Sequence, residues 1–271
     1  LKMKKENAKI YLSFTSNMVT SGLRGFFAQL LEMKFVDVVV TSAGSIEEDV
    51  MKSLGEKFYI GNFSPNDLIL HEKGINRVGN IFIRNESYEK FEVFIQNFIK
   101  KIYEKKSRWS VIEFLEELGK NLKDENSFLY QAAKNKIPVF CPGITDGAIG
   151  FQLFLFQQDH PDFMIDVVKD VGNLAFSSSF DDKKGIIALG GGISKHHAIF
   201  ATLLNGGADY VVYMTTAKEY SGSVGGATPR EAISWGKVKD SADTVLVFGD
   251  VTITFPLVII SVLEILSGNN G

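Results

Sequence analysis

The chain has 271 residues, 45% of them hydrophobic, with 25 Gly and six Pro. That composition excludes a disordered chain, a collagen-like repeat and a coiled coil, and the length suits one large domain with a buried core. Lys and Arg number 29 against 32 Asp and Glu, a net charge of −3, so there is no basic footprint for nucleic acid and a small molecule or a protein is the expected substrate.

In chain order, KIYLSF (9–14) reads as a first strand and Leu23–Met33 as the helix after it. VDVVVTS (36–42) is a second strand, followed by a helix over Ile46–Leu54 that opens on Glu47, Glu48 and Asp49, acids suited to a helix N-terminus. Residues 58–84 break the rhythm: LILHEKGINRVGNIFI reads as a β-hairpin with Gly74 at its turn. Glu89–Lys105 repeats Phe91, Phe94, Ile95, Phe98, Ile99 and Ile102 at helical spacing, and helices continue to 135. IPVFCPG (137–143) is the third strand and GIIALGG (185–191) the fourth, with helices over Gly147–Gln158 and Phe163–Leu174 between them. After a helix over Lys195–Leu204 come strands at 209–216 and 244–250, then a last helix over Pro256–Leu266. The strands are continuously apolar, which implies burial on both faces of a parallel sheet. The expected fold is α/β: a Rossmann-like, doubly wound, mostly parallel six-stranded sheet with helices on both faces. The expected organisation is one domain over 1–271, with 58–135 as a hairpin and helical insertion. The lone Cys141 excludes an intrachain disulfide and is expected at a buried strand end in a reducing compartment. LKMKKENAK contains no apolar signal region, and the apolar run Phe255–Leu266 is interrupted by Glu264 and too short for a bilayer. No membrane contact and a cytoplasmic location are expected.

In an open α/β sheet a ligand sits beyond the carboxyl ends of the strands. The six segments there, TSNMVTSG, TSAGSIEED, GITDGAIG, GGGISKHH, TAKEYSGSVGGATPREAISWGK and DVTITFP, are rich in small, hydroxylated and acidic residues. Such residues offer backbone N–H groups and hydroxyls to phosphate, and carboxylates to a ribose or an amine. The three glycines of LGGGISKHH let a pyrophosphate approach the backbone, and equally suit a tight turn with no ligand. His196 and His197 are adjacent, so a helix splays one toward a site and the other into packing. A zinc pair prefers i, i+4 spacing, and no metal is expected. Ser221–Lys237 is a long Gly-rich loop in a compact domain, often a functional feature. Pro229 suits the first position of a short helix, on which Glu231 and Trp235 share a face. Lys237 follows Gly236. An amine held beside an indole loses solvation and becomes a nucleophile able to form an imine. A surface lysine capping the last carbonyls of that helix fits the same residues.

At SWGK the pattern becomes that of a family. YLSFTSNMVTSGLR, TSAGSIEED, CPGITDGAIG, LGGGISKHH, GADYVVYMTTAKEYSGSVGGATPREAISWGK and FGDVTITFPL, in this order from about Lys9 to Leu266, resemble deoxyhypusine synthase. The resemblance implies an NAD-dependent transferase, a homotetramer built as a dimer of dimers with active sites at the dimer interface. It implies cleavage of spermidine and transfer of its 4-aminobutyl group to one lysine of the translation initiation factor 5A precursor. By resemblance Lys237 is the imine-forming lysine and His196 lies beside the reacting centre. Trp235 lines the polyamine, and Glu231, Glu47 and Glu48 lie near its amines. The positions matching NAD contacts are Ser16, Asn17, Met18, Val19, Thr20, Ser42, Ala43, Gly44, Glu48, Asp146, Gly191, Thr216, Ala217, Asp250 and Val251.

The chain also departs from the family. Eukaryotic members have Asp where this chain has Phe151, Ser221 and Val224, and the acids at 151 and 224 anchor the cationic ends of spermidine. Losing two such partners should cost several kcal/mol unless Glu47, Glu48, Glu219 or Glu231 compensates. About fifteen residues precede TSN, whereas family members usually have a longer segment there, so that segment is either absent or not included; the short length suits an archaeal-type member. Two further readings stay open. One is a homospermidine-synthase-like transferase with a small diamine as acceptor. The other is a non-catalytic NAD-binding subunit of a mixed tetramer.

Overall fold

The computed structural model describes residues 1–268, so the last three residues of the expected 1–271 domain lie outside the described ones. Six strands make the central sheet: β1 (Lys9–Ser13), β2 (Val38–Val40), β3 (Val139–Phe140), β4 (Lys184–Leu189), β5 (Ala208–Thr215) and β6 (Val238–Phe248). Their spatial order is β3-β2-β1-β4-β5-β6, and every pairing is parallel. The chain winds outward from β1 in one direction and from β4 in the other. The crevice between them at the carboxyl ends is the topological switch point.

Pleating sends alternate residues to opposite faces. Ile10 and Leu12 of β1 enter the larger core with Phe27, Val50, Phe91, Ile99, Phe114 and Phe255. Tyr11 and Val38 face the other side, against Ala198, Ala201 and Leu174. On that same side Ile186, Val211 and Tyr213 pack on Ile199 and Ala232. Both faces of β1–β5 are therefore buried, as their unbroken apolarity requires; the edge strand β6 departs from that expectation, with Val245, Leu246 and Phe248 exposed. Phe14 stacks on Phe27 at 4.1 Å and meets Phe128 edge-on at 5.4 Å. Each such ring contributes about 1.5–3 kcal/mol by burial. The helices Asn85–Tyr103, Val111–Asn121 and Phe128–Asn135 contribute to this core. Cys141 is buried just beyond β3, and burial pushes its thiol pKa up.

Several local expectations need correction. The hairpin does not turn at Gly74. A helix, Asp67–Glu72, is capped by Asn66, and Gly74 leads out of it. The antiparallel turn joins Ile75–Val78 to Ile81–Arg84, with Gly79 at φ +61°, and Tyr59–Ile60 adds a third strand. The second helix starts at Ala43, so Glu47, Glu48 and Asp49 sit past its first turn and are buried rather than acting on its dipole. Phe163–Leu174 is not one helix. Met164–Asp166 pairs with Arg108–Ser110 as a parallel ribbon, and the Asp166 side chain then accepts from Lys169 N–H at 2.9 Å to start Val167–Ala175. β6 begins six residues before 244, hidden by a polar stretch where the register jumps from Ala208↔Val238 to Tyr210↔Asp243. The last helix is Val251–Leu266: Asp250 accepts from Thr252 N–H at 2.8 Å and fixes the start, leaving Pro256 inside. Among the described residues no helix is long and apolar enough to cross a membrane.

Candidate active site

A cleft of about 530 Å³ opens at the switch point. Thr15 and the short helix Ser16–Thr20 form one wall, and Gly190, Gly191 and Thr215–Ala217 form the floor. Asp250, Val251 and Thr252 close it from the last helix. Of the residues expected around a cofactor, Asn17, Met18, Thr20, Gly191, Thr216, Ala217, Asp250 and Val251 line it. Ser16 N–H donates to Ser42 Oγ at 3.1 Å, and a Cβ on Gly44 would press on the Ser16 side chain; these two turns pack together behind the wall. Val19 and Ala43 are core residues. Asp146 is exposed in the turn after β3 and is not part of the lining. Phe63 and Val78–Ile81 overhang the cleft from the antiparallel unit. Sequence reasoning assigned them no site role, because nothing in a hairpin pattern says which way it folds over the sheet.

The acids behind the cleft differ sharply. Asp49 is fully buried, with its carboxylate 2.5 Å from Arg24 Nε and also accepting from Ser127 Oγ and Leu129 N–H; it is a structural ion pair. Glu47 accepts from Ile149 N–H at 3.0 Å, at the start of the Ala148–Asp159 helix, and burial raises its pKa. Glu48 accepts from Thr20 Oγ1 at 2.7 Å. Burial pushes it up to about 7, against the opposing pull of that hydrogen bond and of Lys52.

A second group lies apart. Pro229 is the first residue of the Pro229–Ser234 helix, which presents Glu231 to solvent and ends at Trp235, 67% exposed. Lys237 is pinned through its backbone: its carbonyl accepts from Ala208 N–H at 3.0 Å and Thr202 Oγ1 at 2.6 Å. Its Nζ lies 3.4 Å from His196 Nε2 and 5.2 Å from the Trp235 ring centroid. Nζ thus faces a ring nitrogen and an indole rather than the helix's last carbonyls. Burial, then the Lys237 charge, lowers the His196 pKa, so its imidazole is neutral near pH 7 and able to accept a proton. His197 points the other way, toward Phe140 and Phe200, and burial pushes it down to about 4. The expected splay of the two histidines is what the helix produces.

Lys237 directly precedes β6, whose first residue pairs with the first residue of β5. Its backbone is therefore at the amino end of the sheet, while the cleft is at the carboxyl end. Lys237, His196, Glu231 and Trp235 do not line the cleft. The structure brings the expected residues together as two groups within one chain, joined by segment 217–228. Phe151 is 55% exposed and stacks with Phe154, and Ser221 and Val224 are exposed.

A parallel sheet in this order, with a glycine-floored crevice at its switch point, defines a Rossmann-like α/β protein. The family model for deoxyhypusine synthase matches residues 1–262. A probable deoxyhypusine synthase of Thermoplasma acidophilum is 43% identical over 256 residues, covering 94% of this chain and 82% of that protein. The deoxyhypusine synthase of Nicotiana tabacum is 43% identical over 266 residues, covering 93% and 70%. A crystal structure from Entamoeba histolytica assigned to the same synthase aligns with a TM-score of 0.69 at 32% identity, covering 93% and 74%. The chain belongs to the deoxyhypusine synthase family, a family of transferases.

Proposed function

We propose that the protein is a cytoplasmic, NAD-dependent transferase that moves the 4-aminobutyl group of spermidine to one lysine of the translation initiation factor 5A precursor. The observation that carries this reading is Lys237 Nζ facing His196 Nε2 at 3.4 Å beside the Trp235 indole. The cleft suits a dinucleotide. Its hydroxyls, its glycine backbone and the N-terminus of the Gly192–Leu203 helix accept anions, and Asp250 offers a carboxylate to a ribose. Bound NAD supplies the two-electron acceptor for the carbon beside the secondary amine of spermidine, and later the returning hydride. Lys237 attacks the resulting substrate imine, releases 1,3-diaminopropane and holds the butyl group until the acceptor lysine displaces it. His196 takes the proton that Lys237 sheds and returns it to the leaving amine. Trp235 and Glu231 hold the polyamine chain and its charge. The separation of Lys237 from the cleft within one chain supports a homotetramer, in which a cleft and a Lys237 group of different subunits meet at an interface.

A second reading rests on Phe151 and Val224, which present apolar surface where acids are expected. It is transfer from, or to, a different amine such as a small diamine. The test of the first reading is incubation with NAD and labelled spermidine, borohydride reduction and peptide mass spectrometry. Label on Lys237, absent in Lys237→Ala while NAD binding persists, is the expected result. Aminobutyl transfer retained in Lys237→Ala would sink the assignment. Label on Lys237 with product formed only from putrescine would favour the second reading.

A further inference from the structure

Lys195 precedes His196 and is fully buried. A buried ammonium is costly unless its donors are matched. Here they are: Nζ donates to the Val224 and Ala227 carbonyls, each at 2.8 Å, and lies 3.9 Å from the centroid of the Tyr213 ring. Two carbonyls and one aromatic face account for its three N–H groups.

Both carbonyls belong to the Gly-rich segment 222–228. That stretch includes Gly222, Gly225 and Gly226, so ordering it is entropically expensive. Its own bonds are local, as where Gly226 and Ala227 N–H donate to Ser223 O. Among the described residues, the hydrogen bonds that reach it from outside 217–231 come from Lys195. The segment also forms part of the cleft. Gly225 lines it, and a Cβ on Gly191 would overlap Gly225 Cα. The same segment runs directly into the helix bearing Glu231.

We propose that Lys195 is a positioning residue: it clamps segment 222–228 against the Gly192–Leu203 helix and thereby sets the Gly225 wall of the nucleotide cleft. It acts through two main-chain carbonyls and touches neither substrate nor cofactor. The nucleotide part of this inference rests on the reading proposed above; the clamp itself does not. Burial lowers the Lys195 pKa to about 8, with Glu231 pulling it up, so the side chain is a cation at neutral pH and its hydrogen bonds are charge-assisted.

The test is Lys195→Met, which keeps the length of the side chain and removes Nζ. Hydrogen–deuterium exchange in peptides spanning 217–228 is expected to accelerate at least tenfold, with β1 and β4 unchanged. The Kd for NAD should rise at least tenfold while kcat at saturating NAD stays within threefold, a split that a general loss of structure would not give. Tyr213→Phe keeps the aromatic face and should leave exchange and affinity within twofold. Unchanged exchange and unchanged Kd in Lys195→Met would overturn the proposal. So would unprotected exchange of 222–228 in the unsubstituted protein, a measurement that stands even if Lys195→Met does not fold. Failure of the unsubstituted protein to bind NAD would instead overturn the functional reading and leave the exchange result to decide the clamp.

Discussion

The cleft and the Lys237 group are built from opposite materials. The cleft is floored by glycine backbone and edged with hydroxyls, so its shape depends on how closely main chains approach. The Lys237 group is made of side-chain tips held by a backbone locked between β5 and the Gly192–Leu203 helix. A main-chain site is sensitive to added bulk and tolerant of residue type. A side-chain site is the reverse. Because the Lys237 group does not line the cleft, the two can be perturbed separately.

The largest expected effect separates them at the side-chain end. His196→Ala removes the proton acceptor facing Lys237, and the rate of borohydride-trappable imine formation should fall about 10²-fold or more. NAD affinity should be unchanged; a parallel loss of affinity would mean that the two groups are not independent.

Next comes the acid behind the cleft wall. The folded chain holds the Glu48 pKa at about 7, above its ordinary 4.5. The unfolded chain releases this proton from about pH 4.5, while the folded chain keeps it to about 7. Glu48 therefore costs stability increasingly as pH rises through that window, reaching about 3 kcal/mol above it. Glu48→Gln should recover up to that amount at pH 8 and nothing at pH 4, read by denaturant unfolding at both. Equal stability of the two proteins at pH 8 would show that the charge is already matched.

The smallest effect probes the main-chain end. In Gly191→Ala the new methyl group meets Gly225 Cα, so one segment must shift, at about 1–3 kcal/mol. NAD affinity should drop with it, while the Lys237–His196 pair stays intact. Titration and thermal unfolding check both; undiminished affinity would show that this contact does not shape the cleft.

Much of this was legible beforehand. Six continuously apolar runs read as strands buried on two faces, which holds for five of them and fails at the exposed edge strand β6, and their alternation with helices dictated the winding. Pro229 as a helix start and the splay of His196 and His197 follow from local geometry alone. What escaped was settled by tertiary partners. The Ala43–Ser53 helix starts early because Ser42 and Ser16 pack together, a pairing invisible to periodicity. Asp250 outcompeted Pro256 as the start of the last helix because a capping carboxylate two residues before a free N–H is worth more there than a fixed φ. Lys195 looked like one basic residue among SKHH; only the fold brings the Val224 and Ala227 carbonyls to it. That Lys237 lies outside the cleft lining was hidden too, because a segment read as following β5 ends at the start of β6.

The central place of β1 also bears on how the chain is made. Lys9 pairs with Lys184 and Ser13 with Ala188, so an early strand must wait for one synthesised far later. Until β4 emerges, one hydrogen-bonding edge of β1 is open and its apolar residues lack half their cover. Closure over so long a loop is slow, and an unpaired apolar edge is a template for wrong partners. Between the making of β1 and that of β4 a strand buried in the finished fold is therefore left half covered, and the yield should depend on chaperone capacity more than on the stability of the finished fold.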